Sequence, residues 1–298
     1  MSDAQRRGFG PFPSGMNYGI VDSVQLRGIP RKEGLLKFEL KRGAVFDAAA
    51  LDYDAYRPTY PAEVVREVVT LSSLRSSSRL LEIGCGTGKA TMQFASRGFM
   101  IDCVDPGRNL VALARKNCQR WPNVSFKVGK FEDVDFDVFS YDLIYSAQAF
   151  HWVDPAVRLQ KAARLLAEHG SLALLYNYPG RHKNSVLEEL GERIKKETRG
   201  ELSSWDYGGD VAAWLQELKS CGLFRKVKLR KHKWVHEYDA ERYAGLFRTY
   251  SDFLSLPRSV QRRVMKRIEE VINRNGGRVR RSYDCVLIHA QRRPGRLL

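Results

Sequence analysis

A short apolar strand that runs straight into three alternate glycines, Leu80-Leu81-Glu82-Ile83-Gly84-Cys85-Gly86-Thr87-Gly88, constrains this chain more than any other stretch. Glycine at every second position lets the backbone turn tightly with positive φ and lets a ligand approach main-chain amides with no Cβ in the way. Two common loops of this kind do not match. A phosphate loop needs a glycine five residues before Gly88, where Ile83 stands, and a hydroxyl after its lysine, where Lys89 is followed by Ala90. The dinucleotide fingerprint needs a third glycine at the position of Lys89. A ligand therefore lies on this turn, and neither of these two patterns describes it.

Downstream, the pattern alternates. Helices are predicted over 89–97, 109–120 and 155–168, the last with Asp154 as N-cap, Pro155 at its first position and Gly170 beyond its end. Strands are predicted over 99–104, 124–128, 142–146 and 171–176. Strands separated by helices imply parallel β-α-β units with right-handed crossovers. Upstream, a helix over 62–71 follows Tyr53-Asp-Ala-Tyr56-Arg57-Pro58-Thr-Tyr60-Pro61, either an ordered aromatic latch or simple packing. After Pro179-Gly180 the rhythm changes. Helices over 185–196 and 210–220 precede a strand over 224–235, and helices over 240–249 and 257–273 precede a last strand over 282–290. In the last helix Val260, Val264, Ile268 and Ile272 recur every four residues, so one face packs.

A chain of 298 residues with 43% hydrophobic content can build a full core. The N-terminal Gly/Pro-rich, charged stretch lacks an apolar signal core and no run of 18 apolar residues occurs, so a soluble, cytoplasmic protein without membrane contact is expected. Cys85, Cys103, Cys118, Cys221 and Cys285 form no Cys-x-x-Cys pair, which suggests reduced thiols and no metal site. The net charge of +16 is uneven: +4 over residues 1–42, 0 over 43–180 and +12 over 181–298. A basic surplus suits an acidic small substrate, nucleic acid, an anionic membrane or merely a solvated surface.

In an open parallel sheet, ligands bind beyond the carboxyl ends of the strands, so residues just past each strand are candidates. The Glu-x-Gly-x-Gly-x-Gly run at 82–88 resembles motif I of the class I S-adenosylmethionine-dependent methyltransferases. Gly129-Lys130-Phe131-Glu132-Asp133 resembles that family's Gly-Asp-Ala-Glu-Asp-Leu turn, with Lys130 where an aspartate is common. Gln148-Ala149-Phe150-His151-Trp152 resembles the Gln-Ala-x-His-Trp segment of small-molecule methyltransferases of the trans-aconitate type. Tyr56-Arg57-Pro58-x-Tyr60-Pro61 and Arg248-Thr249-Tyr250-Ser251 resemble segments of the same group, so the likeness spans residues 46–292.

The resemblance implies an α/β fold: a doubly wound, mostly parallel, Rossmann-like seven-stranded sheet with an antiparallel last strand and a helical cap. It divides the chain into a loop-rich extension (1–45), a cofactor-binding core (46–180), and cap insertions with the last two strands (181–298). The implied cofactor is S-adenosyl-L-methionine, released as S-adenosyl-L-homocysteine. Its implied contacts are Arg57, Glu82, Gly84, Cys85, Gly86, Gly88, Asp105 at the ribose hydroxyls, Pro106, Phe131 or Glu132 at the adenine, Ala147 and Gln148. Tyr53, Tyr60, Trp152 and Arg248 are the implied acceptor contacts. His151 is the candidate general base, with an equal case for a residue that only walls the pocket. A small, anionic metabolite is the expected acceptor, methylated on oxygen or nitrogen, with an RNA methyltransferase using the basic C-terminal half as the alternative.

Overall fold

In the computed structural model, residues 47–180, 184–200, 202 and 211–295 are described. The extension over 1–45 lies outside them. Seven strands form one sheet: β1 (Arg79–Ile83), β2 (Met100–Asp105), β3 (Val124–Val128), β4 (Tyr141–Ala147), β5 (Leu166–Pro179), β6 (Phe224–Asp239) and β7 (Arg278–Arg292). Their order is β3-β2-β1-β4-β5-β7-β6. β1 to β5 are mutually parallel, and β7 runs antiparallel between β5 and β6. The order reverses at β1 and β4, which opens a crevice beyond their carboxyl ends, where the glycines begin.

Alternation sets the two layers. Leu81 and Ile83 of β1 join a core with Phe150, Leu159, Trp214 and Leu218, while Leu80 joins one with Val64, Val65, Val68 and Phe94 on the opposite face. Helix Ala62–Leu71 buries those three valines completely or nearly so, each worth about 1.5–3 kcal/mol. A third core belongs to the cap, where helices Ser185–Glu197, Ala240–Phe247 and Arg258–Arg274 bring together Leu190, Ile194, Phe247, Val264, Ile268 and Ile272. Val271 completes the stripe on the last helix, and Val260 is only half-buried at its edge.

One predicted helix changes. Residues 155–157 form a turn in which Asp154 accepts from the amides of Ala156, Val157 and Arg158, and the helix runs only from Arg158 to Leu165. Leu166 is already extended and opens β5, which slips register against β4 between Tyr141 and Leu143. Gly170 sits at that irregularity, where a Cβ would lie 2.7 Å from the carbonyl oxygen of Tyr141. Its role is close strand approach, so it is not a helix stop. The final two strands are longer than their apolar patterns suggest, pairing from Phe224↔Arg292 to Asp239↔Arg278, because a ladder needs backbone groups and accepts charged side chains on exposed faces.

Candidate active site

The glycine loop is stapled to the end of β2. The amides of Gly84 and Cys85 donate to the Val104 carbonyl at 2.8 and 3.3 Å, and the Gly86 amide donates to Asp105 Oδ2 at 2.9 Å. Gly84, Gly86 and Gly88 have φ of 70°, 54° and 84°, the left-handed region that their spacing requires. Gly84 is also a close approach: a Cβ there would come within 2.2 Å of Ala149 Cβ, in the segment after β4. Asp105 is buried and also accepts from the Gly107 amide at 2.8 Å. Burial raises its pKa, the two amides lower it, and the nearby Asp47 raises it.

The latch covers this loop. Helix Ala50–Tyr56 and the following prolines are anchored on the core side by Asp47, which accepts from the Asn109 and Leu110 amides at the start of helix Arg108–Asn117. Lys89 Nζ donates to the Asp54 carbonyl at 2.6 Å, Asn117 donates to Asp54 Oδ1 at 3.0 Å, and Gln93 donates to the Tyr60 carbonyl at 2.7 Å. On the cap side Arg57 donates to the Thr249 carbonyl at 2.9 Å and stacks on the rings of Tyr250 and Tyr53. Gly245 lets the two helices touch, since a Cβ there would lie 2.5 Å from the ring of Tyr56.

Between loop, latch and cap lies a cavity of about 580 Å³, counting its open mouth. Its core side is formed by Glu82, Gly84, Cys85, Gly86, Thr87 and Ala147, and its far side by Tyr53, Arg57, Tyr60, Leu246, Tyr250 and Tyr283. Gln148 and Asn177 close the end beside β4 and β5. These two amides bond each other twice, Asn177 N to Gln148 Oε1 at 3.1 Å and Gln148 Nε2 to the Asn177 carbonyl at 3.3 Å. Asn177 further donates to the Thr59 carbonyl at 3.0 Å and accepts from Trp234 Nε1 at 3.1 Å, joining latch, β5 and β6. Gln148 itself has φ of 61°, a conformation uncommon outside glycine, in the turn that leaves β4.

Of the residues singled out in the sequence, Arg57, Glu82, Gly84, Cys85, Gly86, Ala147, Gln148, Tyr53 and Tyr60 therefore share one cavity. The others lie outside its lining. Gly88 begins helix Lys89–Ala95, Asp105 stands behind the loop, and Pro106 is exposed. Phe131 is a core side chain, and Glu132 accepts from the Asp154 amide at 2.8 Å. Arg248 pairs with Asp52 at 3.1 Å and stacks on Tyr56, so it fastens the latch. His151 and Trp152 lie in a single 3-10 turn, ring to ring at 4.7 Å, with Tyr176 behind at 6.1 Å. Sequence reasoning missed Thr87, Lys89, Asn177, Leu246, Tyr250 and Tyr283. Asn177 carries the same signal as the others, a polar residue near a carboxyl strand end, whereas Tyr250 and Tyr283 reach the site only through the folding of the cap.

The cavity suits an S-adenosyl nucleoside. At Gly84 and Gly86 its core side is bare main chain, a Cβ at Gly86 would meet nothing nearer than Tyr53 at 3.9 Å, and the buried carboxylates of Glu82 and Asp105 stand before the loop and behind its middle. Residues 81–174 match the methyltransferase domain model. The chain is 27% identical to an uncharacterized methyltransferase of Mycobacterium tuberculosis over 227 residues, 76% of this chain and 85% of that one. A candidate type II methyltransferase from Anaeromyxobacter dehalogenans shares the fold, with a TM-score of 0.61 at 21% identity, over 80% of this chain and 100% of that chain. So does a Haemonchus contortus phosphoethanolamine N-methyltransferase solved with S-adenosyl-L-methionine, with a TM-score of 0.51 at 14% identity, over 89% and 60% of the two chains. The strand order, the glycine loop and these likenesses agree in supporting a class I S-adenosylmethionine-dependent methyltransferase.

Proposed function

We propose that this enzyme methylates a small anionic acceptor held between the glycine loop and the tyrosine-lined latch and cap. The observation that carries this reading is the composition of the far side: a guanidinium, that of Arg57, and the phenols of Tyr53, Tyr60, Tyr250 and Tyr283, with no carboxylate among its lining residues. Arginine and phenol donors suit an oxyanion, and a charged hydrogen bond contributes about 1.5–3 kcal/mol.

S-adenosylmethionine supplies a methyl group on a sulfonium, already a strong electrophile. What remains for the chain is binding, orientation and exclusion of water. Gly84, Cys85, Gly86, Gly88, Asp105, Pro106, Phe131, Glu132 and Ala147 are assigned to the cofactor, with Glu82 and Gln148 at its methionyl end. Arg57 reaches from the latch over the methyl end of the cofactor, where the acceptor lies against it and against Tyr53, Tyr60, Tyr250 and Tyr283. An ionised oxygen needs no general base. The place of His151 outside the cavity lining, against Trp152 and Tyr176, supports a wall role for it.

The RNA alternative rests on the basic C-terminal portion, and many of those charges are spent internally. Arg263 and Arg267 both pair with Glu197, Arg274 and Arg193 with Glu189, Arg278 with Glu237 and Lys231 with Asp284. A screen for S-adenosylhomocysteine production against carboxylic acids, phenols, amines and total RNA tests the reading. Turnover confined to an anionic small molecule is expected. Methylation of RNA, with binding that persists from 50 to 200 mM salt, sinks it.

A further inference from the structure

Glu82 is a carboxyl group in an unusual place. It is 1% exposed, yet it borders the cavity. Its two hydrogen-bond partners are neutral hydroxyls, Thr91 Oγ1 at 2.5 Å from helix Lys89–Ala95 and Tyr145 Oη at 2.8 Å from β4, both donating to the same oxygen, Oε2. The other titratable groups around it would add negative charge or none: the Cys103 thiol and Asp105 carboxylate of β2, the Cys85 thiol of the loop, and the Tyr53 and Tyr60 phenols of the latch. The Cys118 thiol at the end of helix Arg108–Asn117 is of the same kind. Arg57 and Lys89 border the same cavity, each donating to a main-chain carbonyl, of Thr249 and Asp54, and neither is among the groups that act on Glu82.

We propose that binding of the cationic cofactor expels a proton from Glu82 to solvent, so that its carboxylate becomes the ligand's counter-ion only once the ligand is in place. This rests on the assignment of the cavity to S-adenosylmethionine. The physical reasoning is a balance of charge. An ionised carboxylate so deeply buried would be met by two neutral hydroxyls and no paired cation among the described residues, so it keeps its proton. Burial accordingly lifts its pKa to about 8, against the lowering effect of the two hydroxyls and with a small further rise from Asp105. The ligand brings a sulfonium and an α-ammonium, the latter protonated well below its ordinary pKa of about 7.7–8.0. An opposite charge within a few ångströms favours the carboxylate, and the proton leaves. The consequence is a cofactor affinity that rises with pH through the acid-to-neutral range, by up to about tenfold per unit, and stops rising near pH 8, where Glu82 of the free protein ionises and the ligand's own ammonium begins to lose its proton.

Calorimetry of S-adenosylmethionine binding at pH 6.5, in phosphate and in imidazole, counts the protons because the two buffers differ in ionisation enthalpy. The full-length wild type is expected to release nearly one proton per bound cofactor, and Glu82→Gln, which keeps an acceptor for Thr91 and Tyr145, to release almost none. Tyr145→Phe supplies a second handle should Glu82→Gln fail to fold. Removing a donor to the carboxylate keeps the proton on at higher pH, so half-maximal release moves upward. Equal heats in both buffers for the wild type, undiminished release from Glu82→Gln, or an unmoved midpoint in Tyr145→Phe overturns the proposal. No binding of S-adenosylmethionine at millimolar concentration is a different failure, because it removes the cavity assignment itself.

Discussion

The two sides of the cavity are built by different means. The core side comes almost entirely from one short stretch, Glu82 to Thr87, with Ala147 beside it, held by amides that reach a neighbouring strand end. The far side is assembled from side chains distant in sequence: Arg57 meets the Thr249 carbonyl across 192 residues, and Arg248 meets Asp52 across 196. The first depends on backbone geometry that almost no substitution can reproduce, and the second on contacts that can loosen one at a time. We therefore expect the core side to hold the cofactor in place and the far side to yield when ligands exchange.

The harshest way to break the core side is Gly84→Ala. The added methyl would face Ala149 Cβ at 2.2 Å, and the backbone at φ of 70° would be strained as well. We expect the loss of measurable cofactor binding and a destabilisation of about 2–4 kcal/mol, read by calorimetry and chemical denaturation. The double variant Gly84→Ala/Ala149→Gly removes the clash and leaves the strain, so it should recover part of the stability. Full activity in Gly84→Ala would mean that the loop does not need the backbone that the structure gives it.

Asp105→Ala is a smaller insult to the same side. It removes the acceptor of the Gly86 and Gly107 amides as well as the assigned ribose contact, so cofactor affinity should fall by roughly 30-fold or more. Asp105→Asn retains an acceptor for one amide and should lose less. Equal affinity in all three proteins would move the ribose elsewhere.

The far side has a matching test in Gly245→Ala. A methyl 2.5 Å from the Tyr56 ring must push the latch helix off the cap, yet it touches nothing in the glycine loop. The expected result is a cofactor dissociation rate raised by about 10-fold with stability lowered by about 1–2 kcal/mol, and Tyr56→Ala in the same chain should restore much of the stability. A stopped-flow measurement that finds cofactor release unchanged would show that the latch does not gate the cavity.

These contrasts match what could be read in advance. The glycine loop, Asp105 and the strand-helix alternation through β5 are local patterns, and the doubly wound sheet with its antiparallel last strand follows the family resemblance. Which side chains line the far side of the cavity was not legible, because Tyr250 and Tyr283 are brought there by the packing of helix Ala240–Phe247 and the pairing of β6 with β7. Arg248 shows the same limit from the other direction: a conspicuous arginine beside Tyr250 turns to Asp52, while Arg57, within the latch itself, enters the cavity. Gly170 and the short helix Arg158–Leu165 were misread because a β-irregularity and a helix stop both use glycine.

The smallest expected effect falls on His151, which lies outside the cavity lining in the turn after β4. Its place just past β4 makes it a natural base, and its surroundings make it part of the wall: it shares a 3-10 turn with Phe150 and Trp152, packs on Trp152 at 4.7 Å and lies 6.1 Å from Tyr176. A positioned base contributes roughly 100-fold or more, whereas loss of a wall ring with an ionised acceptor should lower turnover by less than about fivefold. His151→Ala is therefore expected to keep most of its kcat and to raise the acceptor KM modestly, with cofactor affinity unaltered. His151→Phe, which restores a ring against Trp152, should recover the KM. The pH profile separates the readings further, because without a base the residual rate on a neutral acceptor climbs with pH as the acceptor ionises by itself. A 100-fold loss in His151→Ala, unrescued by phenylalanine and accompanied by such a climb, would make His151 the base, and the acceptor would then be a neutral hydroxyl or amine.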